Sequence, residues 1–170
     1  TIANPKALAE KLTEQTFAAW EARTGRRILE RYGMSETMMN TSNPLLGERL
    51  AGTVGFALPG VEVRIADESG RVCSAGEVGV IEVRGRNVFA GYWQRPEATA
   101  ESFTDDGWFR TGDLGSWDDD GYLTILGRAK EMISTGGYNV YPRVVGDGLA
   151  DHPGVSEVAV IGEASDEWGE

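Results

Sequence analysis

The chain has 170 residues, enough for one ordinary domain or for pieces of two. It is 41% hydrophobic and 25% charged, a normal globular composition, with 27 acidic against 16 basic residues. A formal net charge of -11 and the lack of a basic run argue against nucleic acid or anionic membrane surfaces as main partners. A small anionic ligand held by a few placed donors stays open.

Residues 5–25, PKALAEKLTEQTFAAWEARTG, predict an amphipathic helix with Leu8, Leu12, Ala19 and Trp20 on or near one face and Gly25 as its stop. RILERY reads as a short strand. RYGMSETMMNTSNP, residues 31–44, begins where that strand ends, and sets a Tyr-Gly step beside a hydroxyl and a carboxylate. A packed core would have to satisfy each of those polar atoms. A polar, glycine-bearing loop at a strand's C-terminal edge is where open α/β sheets place ligands.

From Gly52 the texture changes. TVGFALPG, VEVRIADESG and GEVGVIEVRG alternate apolar and polar residues between glycine and proline turns, which predicts short antiparallel strands of a small barrel or sandwich. Cys73, the sole cysteine, rules out a disulfide framework and points to a reducing compartment. Its turn-like setting reads as an inert thiol. RPEATAESF, residues 95–103, predicts a short helix with Pro96 in its first turn. DDGWFRTGDLGSWDDDGYLTILG predicts two strands joined by acidic turns, with Asp113 at a strand end. Its TGD is either a turn capping its own backbone or a carboxylate able to accept both hydroxyls of a ribose.

GRAKEMISTGGYNVYP, residues 127–142, places Arg128 and Lys130 on a short strand before the double glycine at 136 and 137. That is a hairpin turn on the plain reading, and a hinge with a loop open to a ligand on the functional one. PRVVGDGLADH predicts a helix and VSEVAVIG a buried strand, so a new domain is expected near Arg128. His152, the sole histidine, falls where that helix ends before proline and reads as surface. No Ser-His-Asp, Cys-His or zinc arrangement can be assembled. No apolar run approaches the ~18 residues of a membrane span, and no signal peptide is visible. The opening Thr1 and closing DEWGE make both ends read as cut.

RYGMSET, GEVGVIEVRGRNVFAGYWQRPEATAESF, DDGWFRTGDLG and GRAKEMISTGGYNVYP occur in an order and spacing that resembles the adenylate-forming acyl-CoA synthetases. ILERYGMSET with MNTSNP and AGTVGFALPGVEVR resembles the bacterial malonyl-CoA synthetases within them. The resemblance runs from about Gly25 to the last residue. It implies an α/β class with an α+β fragment: the end of an α/β large domain, a small antiparallel β-barrel subdomain, and the start of an α+β lid. The expected division is 1–127, mostly β over 52–127, and 128–170.

The implied activity is an ATP-dependent acid–thiol ligase, cytoplasmic, that makes an acyl-adenylate of malonate or methylmalonate and passes it to CoA. By that likeness Tyr32 stacks on adenine, Gly33 lets backbone pass the ligand, and Ser35 bonds phosphate. Glu36 helps hold Mg²⁺, while Asp113 and Arg128 reach the ribose. Lys130 is the hinge, Gly136, Gly137 and Tyr138 line the CoA tunnel, and Met34 borders the acyl pocket. Asn40 to Asn43 leave room there for a short dicarboxylic acid, whose second carboxylate needs a cation: Arg26 and Arg27 lie in the neighbourhood, and an arginine upstream is the preferred source.

The phosphate-binding loop and the distal lid lysine of that family are expected beyond the two ends, so the isolated chain is expected to be inactive. Arg143-Val144-Val145-Gly146 stands where acids are usual, and Gly146 and Gly148 each cost a helix about 1 kcal/mol against alanine. Two other readings stand beside the ligase: a non-catalytic remnant binding nucleotide or a partner, and an amino-acid-activating module loading a carrier protein.

Overall fold

The computed structural model describes residues 14–150 and 152–170. In chain order it has α1 (Glu14–Thr24), β1 (Arg31–Met34), β2 (Met38–Ser42), β3 (Phe56–Ala57), β4 (Val61–Ala66) and β5 (Gly79–Gly85). Then come α2 (Pro96–Glu101), β6 (Phe109–Trp117), β7 (Leu123–Arg128), β8 (Ile133–Thr135), β9 (Tyr138–Val140) and α3 (Pro142–Ala150). The strands form three sheets, ordered β1-β2-β3, β4-β5-β6-β7 and β8-β9, with every pair antiparallel. The four-stranded sheet is open: β4 and β7 are its edges, and no closed barrel forms among the described residues.

Alternation decides which face of that sheet is buried. Ile65, Ile81, Val83 and Leu123 are at most 1% exposed and meet Tyr32, Val54 and Cys73 in one core. That core therefore joins the motif-bearing hairpin to the four-stranded sheet. The opposite face carries cross-strand ion pairs, Arg64 with Glu82 and Arg84 with Glu62, both guanidinium groups lying over the Trp108 ring. Cys73 is buried, and burial pushes its thiol up, which suits the inert role expected of it.

Several local expectations shift. Of the helix predicted over 5–25, the described part ends at Thr24, where the Gly25 amide still bonds the Glu21 carbonyl. Its buried side chain is Phe17, while Ala19 and Trp20 are exposed; Leu8 and Leu12 lie outside the described residues. The strand expected over RILERY starts only at Arg31, so Tyr32 and Gly33 are inside it rather than beyond its end. Asp113 likewise sits within β6, a nine-residue strand, not at a strand end. Lys130 lies in a short 3-10 turn, Ala129–Glu131, instead of on a strand.

The strand expected over 155–162 does not form, and Ile161 is 84% exposed. An apolar run becomes a strand only where an edge offers a ladder of hydrogen bonds. Among the described residues Thr135 makes a single bridge with Gly169 instead. α3 forms despite Gly146 and Gly148, and buries none of its residues. His152 is exposed beyond its end, as expected. No helix among the described residues is long and apolar enough to cross a membrane.

Candidate functional site

The site grows out of the β1–β2 hairpin. Ser35, Glu36 and Thr37 form its turn, and the register slips between Tyr32 and Gly33. A Cβ at Gly33 would run into the Met38 carbonyl, so the hairpin itself demands glycine there. That requirement is independent of any ligand. Tyr32 points into the core, and its hydroxyl donates to Asp113 Oδ2 at 2.5 Å.

Asp113 is held from two sides. It pairs across the sheet with Arg128, whose Nε lies 3.0 Å from Oδ1 and whose Nη1 donates to the Thr111 carbonyl at 3.3 Å. The Asp113 amide donates to Thr111 Oγ1 at 3.1 Å, and that hydroxyl donates to the Ile81 carbonyl at 2.8 Å. Gly112, at φ 74 inside β6, supplies the left-handed step this local geometry uses. Burial pushes the Asp113 carboxyl above the usual aspartate value, opposed by the Tyr32 hydrogen bond and the Arg128 charge. Burial and the neighbouring Asp113 charge push the Tyr32 phenol far up, so it stays a donor.

Glu36 is half-buried at the hairpin turn. Its Oε1 accepts from the Tyr92 hydroxyl at 3.1 Å, and its carbonyl accepts from the Phe89 amide at 2.7 Å. Asn87 Nδ2 donates to the Thr37 carbonyl at 2.7 Å and to Asn40 Oδ1 at 3.2 Å. The connection from β5 to α2 thus straps the turn. Sequence reading missed Asn87, Phe89 and Tyr92. Their signal was the run NVFAGYW, an amide and three aromatics between a strand and a helix.

Ser35 is exposed at the same turn, and Met34 is half-buried just before it. Asn40, Thr41 and Asn43 are buried rather than lining open space. Asn43 is engaged in fixing the following loop, donating to the Thr53 carbonyl at 2.8 Å and accepting from the Leu50 amide at 3.1 Å. Thr37 Oγ1, Asn40 Nδ2 and Thr41 Oγ1 are buried without a hydrogen-bond partner among the described residues. Arg27 is engaged by Glu21 at 3.0 Å.

Gly136 and Gly137 turn the separate β8–β9 hairpin, and Tyr138 beside them is 77% exposed. The Gly136 amide donates to the Trp168 carbonyl at 2.9 Å, with the indole packed where a Gly136 Cβ would stand. Trp168, in the closing DEWGE, was a fourth residue the sequence reading passed over. The described residues hold no cluster of three or more His, Cys, Asp or Glu side chains, hence no all-protein metal cage. The lone Glu36 carboxylate suits a hard cation that takes its remaining ligands from phosphate oxygens and water.

Buried Tyr32 and Asp113 and the exposed Arg128 thus form one linked array beside the Glu36 turn. Residues 6–93 match the AMP-binding enzyme family, and the chain belongs to it, among the adenylate-forming acyl-CoA synthetases. A malonate–CoA ligase of Arabidopsis thaliana is 47% identical over 152 residues, 89% of this chain and 24% of that protein. A long-chain-fatty-acid–CoA ligase of Yersinia pestis is 41% identical over 166 residues, 97% of this chain and 28% of that protein. The crystal structure of ATP-bound MatB from Rhodopseudomonas palustris superposes with a TM-score of 0.88 at 52% identity, covering 91% of this chain and 31% of that one. The chain thus spans about a quarter to a third of the proteins it matches.

Proposed function

We propose that the chain supplies the adenine-, ribose- and metal-facing part of an ATP-dependent acid–thiol ligase acting on malonate or methylmalonate. The observation that carries this is the Tyr32–Asp113–Arg128 array with Glu36 at the adjoining turn. In the reaction a carboxylate attacks the α-phosphate of ATP, giving an acyl-adenylate and pyrophosphate, and the CoA thiol then displaces AMP.

Tyr32, buried with its hydroxyl on Asp113, backs the adenine side of the site from the core instead of standing open to stack, and Arg128 reaches the ribose. Asp113 accepts the ribose hydroxyls: a carboxylate has about four lone-pair sites, so the bonds to Tyr32 and Arg128 leave acceptor capacity. Ser35, exposed at the turn, bonds phosphate. Glu36 is the carboxylate for Mg²⁺, which when bound neutralises phosphate charge. Residues 1–127 belong to the large domain and 128–170 to a lid hinged at Lys130, in which Gly136, Gly137 and Tyr138 face CoA. Lys130→Pro, which fixes one backbone torsion, should spare adenylation more than thioester formation. The malonate reading rests on the likeness of RYGMSET and MNTSNP; overall identity does not separate the acids, since 47% to the malonate–CoA ligase stands beside 48% to a long-chain-fatty-acid–CoA ligase of Mycobacterium bovis. The setting is cytoplasmic.

Grafting residues 31–128 into Rhodopseudomonas palustris MatB in place of its own counterpart tests the reading. CoA-thioester formation should persist with malonate and methylmalonate, stay low with acetate and long fatty acids, and fall on Glu36→Ala or Asp113→Ala. A preference for an unbranched monocarboxylate would overturn the substrate. The chain alone should show no malonate-dependent ATP–pyrophosphate exchange above its Glu36→Ala control, because most charge in adenylation develops around phosphates that other donors must hold.

A further inference from the structure

We propose that Tyr92 is a positioning residue for Glu36: its hydroxyl fixes the carboxylate in the orientation that receives a nucleotide-bound divalent cation. The inference rests on the reading of Glu36 given above and adds to it a residue 56 positions away in sequence.

Three contacts from one short segment converge on the hairpin turn. Asn87 holds the Thr37 carbonyl, Phe89 holds the Glu36 carbonyl, and Tyr92 holds Glu36 Oε1. The first two fix the backbone of the turn. Only the third touches the carboxylate, and a glutamate has three side-chain torsions that backbone contacts leave free. The hydroxyl engages one oxygen, and Oε2 has no protein donor among the described residues.

Tyr92 can do this because it is itself anchored. Its amide donates to Thr99 Oγ1 on α2 at 2.9 Å, and that hydroxyl donates to the Arg95 carbonyl at 2.8 Å. Its ring packs edge-on against Phe89 at 4.8 Å, and Phe89 in turn packs against Phe103 and Phe109. Hence α2, which buries none of its own residues, serves as a peg for the strap. A supporting shell of this kind keeps a ligand group within the narrow range of productive geometry.

Tyr92→Phe removes the hydroxyl and keeps the ring, so the aromatic packing survives. The test uses the MatB graft carrying residues 31–128 with Mn²⁺·ATP, followed by the enhancement of water-proton relaxation, beside metal-free ATP binding in EDTA. Tyr92→Phe should weaken Mn²⁺·ATP binding roughly 2- to 10-fold, the range for loss of one hydrogen bond, and leave metal-free ATP binding unchanged. Glu36→Gln should remove the metal-dependent gain, and adding Tyr92→Phe to it should change nothing further.

Wild-type Mn²⁺·ATP binding in Tyr92→Phe, with Glu36→Gln impaired, would overturn the role of Tyr92 alone. An equal loss from Tyr92→Phe in the Glu36→Gln background would do the same, because Tyr92 would then act on the fold and not through Glu36. A Glu36→Gln variant indistinguishable from wild type would overturn the assignment of Glu36 and the inference with it.

Discussion

The β4–β7 sheet and the β8–β9 hairpin are both built from antiparallel strands and glycine turns, yet they hold their candidate residues in opposite ways. Asp113 in β6 is 7% exposed and bonded on both sides, whereas Tyr138 in β9 is 77% exposed. The difference lies in what each sheet packs against. The first shares a core with the hairpin that carries Tyr32. The second buries no residue among its strands. Burial prearranges one set of groups, while the other stands on an exposed turn whose backbone is tied to Trp168.

The largest break in this contrast should come from the shared core. Ile81 is fully buried, and Ile81→Ala should cost about 2–5 kcal/mol through lost transfer energy and the cavity left behind. Urea unfolding followed by tryptophan fluorescence measures it, and a loss below 1 kcal/mol, far under that range, would mean that the core is not shared. Next comes Tyr32→Phe, which strips a donor from a buried carboxylate and should cost about 1.5–3 kcal/mol in the same assay. Gly33→Ala forces the two hairpin strands apart at Met38, and a shift of that kind costs typically about 1–3 kcal/mol.

A smaller effect sharpens the electrostatic side. Burial holds the Asp113 carboxyl above its ordinary value, so the folded chain binds that proton more tightly than the unfolded one. The stability it contributes is therefore fully present below the unfolded value and is lost as pH rises through the folded one. Across that acid window wild type should lose stability relative to Asp113→Asn. The reverse trend would show that Tyr32 and Arg128 outweigh burial. The smallest effect belongs to the exposed tail: Ile161→Ala should stay within about 0.5 kcal/mol of wild type. A larger loss would place Ile161 in a packed strand after all.

Turn chemistry and alternation made much of the chain legible in advance. Gly/Pro punctuation and period-two patterns marked β4, β5, β6 and β7, Pro96 marked the start of α2, and the double glycine marked the β8–β9 turn. These are local rules, written in neighbouring residues. The same reading singled out Asp113 and the Tyr-Gly, Ser-Glu loop from residue types alone, and gave Tyr32, Glu36, Asp113 and Arg128 their particular roles only through resemblance. Nothing near Tyr32 announces that its hydroxyl meets Asp113, 81 positions on, or that Tyr92 meets Glu36. Those contacts depend on two sheets sharing one core. The apolar run at 155–162 shows the limit from the other side, since its pattern favours a strand and no edge among the described residues receives it. Sequence determined which segments could be strands and which residues could act. Tertiary structure decided which strands found partners and which polar groups met, because hydrogen bonds across a sheet and burial in a core both depend on chain far away in sequence.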